Sequence, residues 1–263
     1  MLNSMEKAII YKDLRNIIDN KRMLSVMLII PLVFTIFLPS VFVLIIAFTP
    51  IDSPDFKQLL DILPQSMQAG DLRQSLIGLL LNSVLPIFFL IIPIMAATVM
   101  AAGSFVGEKE KRTLETLLYS PLSLKQIFNA KISASFILSM MVSLASFIIM
   151  TLVVEIELVL TTGAMVLPNI GWLVVMLIIA PAISMLAITI IVRGSAKAQS
   201  FEESQQRSVF LILPIILLAA GQFTGILLIG SWLLLAIGFV LAAIAFWAFK
   251  GAFGKFKYET LLE

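Results

Sequence analysis

The sequence predicts an all-α polytopic membrane protein with six transmembrane helices. Of its 263 residues, 60% are hydrophobic, whereas soluble domains have about 45–50% apolar residues. Asp, Glu, Lys and Arg are absent from five long windows, at 23–51, 74–107, 132–154, 158–192 and 208–249. A membrane helix needs about 20 apolar residues, so every window is long enough to hold at least one span.

The windows predict six spans because the last one, with 42 residues, is long enough for two. A turn near Gly230 and Ser231 divides it. The predicted spans are 24–48, 79–106, 130–154, 169–192, 209–228 and 232–249, all in one transmembrane domain covering 1–263. The run from Gly221 to Gly225 leaves a second possibility for the last pair, a break or a re-entrant turn.

Orientation follows from the basic residues. One side of the membrane receives 16 of the 18 Lys and Arg, in segment 1–22, the loops 107–129 and 193–207, the tail 250–263 and Lys131. Cytoplasmic loops of membrane proteins carry such an excess, so both termini are expected in the cytoplasm. Trp172 and Trp232 then fall at outer ends of spans and Trp247 at an inner end, as in an aromatic belt.

The segment 1–22 is predicted to form an amphipathic helix at the cytoplasmic interface. Ile10, Leu14, Ile17 and Ile18 share one helical face, and five basic residues lie mostly on the others. This pattern is typical of an interfacial helix. A solvated basic leader held by anionic lipid is the alternative.

The extracellular loop 49–78 is the longest connection. Phe56, Leu59, Leu60 and Leu63 share a helical face, and Pro64 and Gly70 interrupt the segment. We expect short amphipathic helices that pack on the outer surface, with substrate gating as the alternative role.

The cytoplasmic loop 107–129 carries an unusually regular pattern. Gly107 is expected to end the second span, and Ser120 and Pro121 stop a short helix, because the residue before a proline disfavours helical geometry. Leu114, Leu117 and Leu118 form an apolar stripe on that short helix. Ser123 and Gln126 then form an S-x-x-Q capping box, with Leu122 and Ile127 as its hydrophobic staple. The loop is therefore predicted to be an ordered element that presents an apolar face to a partner protein.

Several chemistries are excluded. The chain has no Cys and no His, so thiol nucleophiles and the usual zinc sites are absent, and no metal site is predicted. The phosphate-binding pattern G-x-x-x-x-G-K-[ST] does not occur, so this chain is not an ATPase. We also expect no lysine inside a span, which argues against an intramembrane enzyme and against ion-coupled transport. Energy for any transport must come from another chain.

At the loop 107–129 the chain resembles the permease subunits of ABC transporters of the type-2 exporter class. The matching residues are Gly107-Glu108-Lys109-Glu110, Thr113-Leu114-Glu115 and Ser120-Pro121. A weaker match covers Ala196-Lys197 to Gln206, where Ser204 replaces the usual Ala. Six spans and an N-terminal interfacial helix also suit this family, so the resemblance covers nearly the whole chain.

The resemblance implies that the loop between the second and third spans is a coupling helix seated on a separate ABC ATP-binding subunit. That subunit would bind ATP and magnesium, and this chain would hold no cofactor of its own. Two ATPase copies would join two permease chains, the second identical or paralogous, in membrane lipid and without nucleic acid. The implied coupling residues are Gly107, Glu108, Arg112, Thr113, Leu114, Glu115, Leu117, Leu118, Tyr119, Ser120 and Pro121. Those of the second cytoplasmic loop are Lys197, Glu202, Glu203, Gln205 and Gln206.

Few polar side chains could meet a substrate within the spans. Asn82 and Ser83 in the second span and Gln222 and Thr224 in the fifth are candidates for a translocation path, since the family pairs these two spans at its dimer interface. Interhelical hydrogen bonding is the alternative role. Ser135, Ser139 and Ser143, spaced by four residues, and Gly103 with Gly107 suit close approach of helices.

Two functions remain open. The first is the permease subunit of an ATP-driven exporter, expected in a bacterial plasma membrane. The second is a membrane scaffold or sensor that binds an ATPase in a resistance or immunity module without moving solute. The substrate is not specified, although uncharged spans favour an amphipathic or apolar cargo.

Overall fold

The computed structural model describes residues 4–54, 56, 71–111, 113, 121–163, 165–195, 198, 200–206, 209–223 and 230–253. These residues form helices and their connections, and they include no strand. Six helices are long and apolar enough to cross a membrane. The predicted all-α fold with six spans is therefore confirmed.

The six candidate spans alternate in direction. Their helices cover Met23–Phe48, Leu72–Glu110, Leu124–Thr162, Ile170–Ser195, Phe201–Gln222 and Trp232–Gly251. The fifth is described over Phe201–Gln206 and Val209–Phe223. We call the end of the bundle that carries Lys12, Lys111 and Lys125 the basic end, and the end that carries Asp71 and Glu155 the opposite end.

The second span is the centre of the bundle and the most buried of the six. It starts at the N-cap Asp71, whose side chain accepts hydrogen bonds from the Arg73 and Gln74 amides. It packs along the third and fourth spans. The prediction that Gly107 ends this helix is wrong. The helix continues through Glu110. Gly107 is buried beside Met23 and keeps helical geometry, without the left-handed φ that a glycine C-cap adopts.

Three spans contain a π-helical segment, and each segment is followed by a proline two residues later. The segments are Val33–Phe37, Leu80–Val84 and Val175–Ile179, and the prolines are Pro39, Pro86 and Pro181. A proline removes the hydrogen bond to the carbonyl four residues earlier and its ring clashes with that carbonyl. The wider π-turn accommodates this clash within a continuous helix.

The third span, Leu124–Thr162, is one uninterrupted α-helix of 39 residues. It starts with the predicted capping box of Ser123 and Gln126, which is confirmed, and it ends at Gly163, whose φ of 67° makes a left-handed C-cap. At 1.5 Å per residue, Lys131 and Glu155 lie about 36 Å apart along the helix. The helix therefore extends beyond the predicted span 130–154 at both ends.

The N-terminal helix, Ser4–Asp19, packs against the start of the third span. Its buried face includes Ile9, Asp13 and Ile17, whereas Ile18 is 61% exposed. The predicted apolar face is therefore wrong at Ile18. The buried face is rotated towards Asp13, because this helix packs on protein that offers polar partners to a carboxylate as well as apolar contacts.

The opposite end is held by Arg73 and by aromatic rings. The Arg73 guanidinium donates hydrogen bonds to the carbonyls of Ala47 and Thr49 and lies 5.8 Å from the ring centre of buried Phe56. The other predicted apolar residues of this loop, Leu59, Leu60 and Leu63, lie outside the described residues. Trp172 is 2% exposed and packs on Phe89 and Phe147, so it belongs to the core and not to an aromatic belt. Trp232 and Trp247 are exposed.

Candidate functional site

A buried ion cluster lies at the basic end, where the N-terminal helix meets the second and third spans. Its centre is Lys131, whose side chain is 1% exposed. The Lys131 ammonium donates to Glu108 Oε2 at 2.6 Å and to the Ser104 carbonyl at 2.6 Å. Lys12, from the N-terminal helix, donates to the other Glu108 oxygen at 2.5 Å. One carboxylate at the head of the predicted coupling loop thus joins the N-terminal helix to the third span.

Asp13 is the second acid of the cluster. Its Oδ2 accepts a hydrogen bond from the Ser104 hydroxyl and lies 3.6 Å from the Lys131 ammonium. Its Oδ1 is buried and has no hydrogen-bond partner among the described residues. Burial raises the pKa of Asp13 above its usual value, while the charge of Lys131 and the Ser104 hydrogen bond act in the opposite direction.

The cluster corrects the expectation that no lysine lies inside a span. Lys131 falls within the third helix and is buried there, and it is neutralised by two carboxylates from other helices. Sequence reasoning counted Lys131 with the basic charges of the cytoplasmic side, because the uncharged window begins one residue later, although the predicted span 130–154 includes it. A signal was present, since Asp13 stands between Ile9 and Ile17 at four-residue spacing on one helix face.

The second span also contacts the segment that begins the fifth span. The amide of Phe201 donates to Glu110 Oε2 at 3.4 Å, and Phe201 and Ser204 are buried against the second span. Of the residues predicted for this loop, Glu202 and Gln206 are exposed, Glu203 and Gln205 are partly exposed, and Lys197 lies outside the described residues.

The predicted coupling loop leaves the second span just beyond the cluster. The Thr113 amide donates to the Glu108 carbonyl at 2.9 Å, and Thr113 and Pro121 are exposed. Leu122 packs against the cluster of Ile9, Ile127 and Ala130, which includes its predicted staple partner Ile127. The remaining predicted coupling residues lie outside the described residues: Arg112, Leu114, Glu115, Leu117, Leu118, Tyr119 and Ser120.

A cavity of about 440 Å³ lies between the N-terminal helix and the end of the second span. Charged and polar walls come from Lys12, Asp13, Glu108 and Lys111, among others, and Gly107 forms part of the floor. The cavity therefore adjoins both the ion cluster and the start of the coupling loop.

Of the candidate translocation residues, Asn82 and Ser83 lie in the π-helical segment Leu80–Val84, which packs against the fifth-span helix that carries Gln222. Asn82 accepts a hydrogen bond from the Asn169 amide at 2.8 Å, which ties the second span to the start of the fourth. Ser83 is partly buried. Gln222 is 1% exposed, and neither of its amide atoms has a hydrogen-bond partner among the described residues. Thr224 lies outside them.

The serines of the third span mediate close helix packing. Ser135, Ser139 and Ser143 are buried, and the Ser139 hydroxyl lies 2.9 Å from that of Ser184 in the fourth span. Ser139 also donates to the Pro93 carbonyl of the second span at 2.8 Å. The Ser139 hydroxyl thus joins three spans, whereas the Ser135 and Ser143 hydroxyls donate to the Lys131 and Ser139 carbonyls within their own helix.

Comparison with known proteins agrees with this architecture. A family model described as ABC-2 family transporter protein matches residues 7–248. Searches of curated proteins and of solved structures return no significant match. The fold and the match together define a multi-pass membrane permease of an ABC transporter. The chain belongs to the ABC-2 transporter family, whose permeases are membrane subunits without an ATPase site of their own and work with an ABC ATPase subunit.

Proposed function

We propose that the chain is the permease subunit of an ATP-driven exporter, and that its loop 107–129 is the coupling helix that receives force from the ATPase. The observation that carries this proposal is the double engagement of Glu108, at the head of the loop, by Lys12 and Lys131. A displacement of the loop would reach the N-terminal helix and the third span together, because both are held by one buried carboxylate.

Charge placement supports the orientation that this function requires. We place the basic end in the cytoplasm, with both termini, because 16 of the 18 basic residues lie on that side. A bacterial plasma membrane is the proposed location. The ATPase, with its ATP and magnesium, would then meet the loop from the cytoplasm.

The proposed assembly contains two permeases and two ATPases. In it, Leu114, Leu117, Leu118 and Tyr119 supply the apolar contact with the ATPase, and Arg112 and Glu115 supply polar contacts. The segment Phe201–Gln206 forms a second contact, supported by its position against Glu110 at the same end of the second span. The uncharged windows of the spans favour an amphipathic or apolar cargo, because a charged cargo would need compensating groups along its path.

The test begins with purification of the tagged chain from its native host in mild detergent, with mass spectrometry of the proteins that remain bound. We expect an ATP-binding subunit with Walker motifs, at about one copy per permease. Leu117→Asp should abolish its retention, because a buried unpaired charge in an apolar contact costs several kcal/mol. Lys250→Ala is the control, since Lys250 is exposed at the basic end and lies outside both proposed ATPase contacts.

Reconstitution separates the exporter from the scaffold. In vesicles that contain the purified complex, the cargo of an exporter stimulates ATP hydrolysis. The complex also moves that cargo across the membrane, from the side of the ATPase to the opposite side. An ATPase that binds but shows neither response would overturn the export proposal in favour of a non-transporting scaffold.

A further inference from the structure

We infer that a groove between the third, fourth and sixth spans is a binding site for an anionic phospholipid. The phosphate of the lipid meets Arg193 and Lys250 at the basic end, and one of its acyl chains lies in the groove. In the orientation proposed above, the lipid comes from the cytoplasmic leaflet. The inference concerns a bound lipid and requires no particular cargo, so it goes beyond the proposed function.

The first observation is the shape and lining of the groove. Its volume is about 480 Å³, and every lining residue that the structure describes is apolar. This volume falls within the range of about 300–1,000 Å³ that is usual for small-molecule sites. Ala182 and Ala245 line it and are buried, and their short side chains leave space between the fourth and sixth spans. The larger lining residues Leu177 and Phe246 are exposed, so the groove opens towards the surrounding lipid chains.

The second observation is the position of two basic residues at one end of the groove. The Arg193 guanidinium donates to the Ala248 carbonyl of the sixth span at 2.6 Å. Ala248 and Lys250 are the neighbours of Phe249, which lines the groove. Arg193 and Lys250 therefore both lie where the apolar lining reaches the basic end.

The charges of these two residues are uncompensated. Arg193 and Lys250 are exposed, and neither forms an ion pair with a described residue. A guanidinium has five N–H donors, and only one of those on Arg193 is engaged with a described residue. Arginine binds phosphate through paired hydrogen bonds, and lysine binds it as a point charge. Basic sites between transmembrane helices on the cytoplasmic side are typical binding sites for anionic headgroups.

The third observation is the match between the groove and one leaflet. Ala182 precedes Arg193 by 11 residues on the same helix, which is about three turns and about 16 Å. One leaflet has half of the hydrocarbon thickness of about 30 Å, or about 15 Å. A phosphate at Arg193 therefore places an acyl chain alongside Ala182. Trp247, beside the same end, is 78% exposed, as is usual for an indole at headgroup level. An apolar helix of another protein would fill the groove but leave both charges without a partner.

The test is native mass spectrometry of the full chain in detergent, with equal amounts of phosphatidylglycerol and phosphatidylcholine that carry identical acyl chains. We expect phosphatidylglycerol to be retained about thirtyfold better, the factor expected when two basic residues meet one anionic headgroup. Arg193→Gln and Lys250→Gln should each lower this preference about fivefold. Lys125→Gln should leave it unchanged, because Lys125 is an exposed basic residue at the same end and lies outside the groove. Lys250 contacts no described residue through its side chain, so its variant tests the headgroup site without loss of a described contact.

A second pair of variants tests the groove without altering a charge. Ala242 lines the groove, whereas its neighbour Ala243 is exposed and does not. Ala242→Leu fills part of the space and should lower retention of both lipids, and Ala243→Leu should not.

Three results would overturn the inference. The first is equal retention of the two lipids by the parent chain, or a preference that is the same in Lys125→Gln, Arg193→Gln and Lys250→Gln. The second is displacement of the lipid by free glycerol phosphate at equal concentration, which would show that the acyl chain adds nothing. The third is a change in the ratio of monomer to dimer in Ala242→Leu with unchanged lipid retention, which would assign the groove to a second copy of the chain.

Discussion

Replacement of Lys131 by methionine is the most direct probe of the buried ion cluster. Methionine preserves most of the volume of the lysine side chain and removes its charge. The change takes one donor from Glu108 and one from the Ser104 carbonyl, and it removes the positive charge 3.6 Å from Asp13.

The loss of stability in Lys131→Met depends on the partners that remain for Glu108 and Asp13. Removal of one partner from a buried ion pair destabilises a protein by about 3–5 kcal/mol, because the other charge stays buried without compensation. Glu108 keeps its contact with Lys12 at 2.5 Å, so its own share of the loss is reduced. Asp13 retains only the Ser104 hydroxyl. We therefore expect a loss near the lower bound, about 3 kcal/mol in the free energy of unfolding.

The assay is reversible unfolding in mixed micelles of increasing SDS fraction, followed by the fluorescence of buried Trp172. Lys125→Met is the matched control, because Lys125 lies on the same helix and is exposed. It should change the free energy of unfolding by less than about 0.5 kcal/mol.

The double variant Lys131→Met with Asp13→Asn distinguishes a charge effect from a packing effect. When both charges are removed, the stability should recover by at least about 1 kcal/mol relative to Lys131→Met alone. If Lys131→Met behaves like Lys125→Met, or if the second change adds a further loss, the reasoning about a compensated buried charge is refuted.

Three further predictions concern other parts of the chain. Burial raises the pKa of Asp13 above its usual 3.8, so the folded state binds that proton more tightly than the unfolded state, and the contribution of Asp13 to the free energy of unfolding should fall as pH rises from 3.8 through the raised pKa. The pKa of Glu108 is lowered and acts in the opposite direction, so the contribution of Asp13 is measured as the difference in pH dependence between the parent and Asp13→Asn. Ser123→Ala removes the capping box and should cost about 1 kcal/mol, seen as faster amide hydrogen exchange in the first turn of the third span. Gly238→Ala places a Cβ 3.0 Å from Ile178 and should lower stability by about 1–3 kcal/mol. Gly107→Ala is the control, because its Cβ lies 3.8 Å from the nearest atom and should not lower stability. Thermal unfolding of the two variants measures the difference.

Features that depend on local sequence were predictable. The uncharged windows are a direct consequence of the hydrocarbon core, which excludes charged groups, and they predict six spans. The capping box is local as well, because Ser123 and Gln126 satisfy each other's orphan backbone donors within a single turn.

Features that depend on contacts between distant segments were not predictable in the same way. Lys131, Glu108 and Asp13 are separated by 23 residues or more along the chain, and each alone resembles an ordinary charge beside a membrane. The charge of Lys131 is compensated in the buried site only because the three residues converge there, and this convergence depends on how the N-terminal helix docks. The face of that helix was misassigned at Ile18 for the same reason, since the sequence does not show that the docking surface offers partners to Asp13.

The prolines occupy an intermediate position. Pro39, Pro86 and Pro181 mark sites where a helix must depart from ideal geometry, and that much follows from sequence. The chain resolves all three with a π-helical segment that ends two residues before the proline, a solution that depends on the surrounding packing.

The distribution of these interruptions gives the spans unequal stiffness. The first, second and fourth spans each contain a π-segment, while the third runs uninterrupted from Leu124 to Thr162. A continuous α-helix transmits displacement along its length, and a π-turn beside a proline is a place where a helix bends. Lys131 attaches the uninterrupted helix to Glu108, at the head of the loop proposed to receive the ATPase. Movement of that loop is therefore expected to reach Glu155, which lies about 36 Å from Lys131 along the third span. The interrupted spans are expected to bend around the third span.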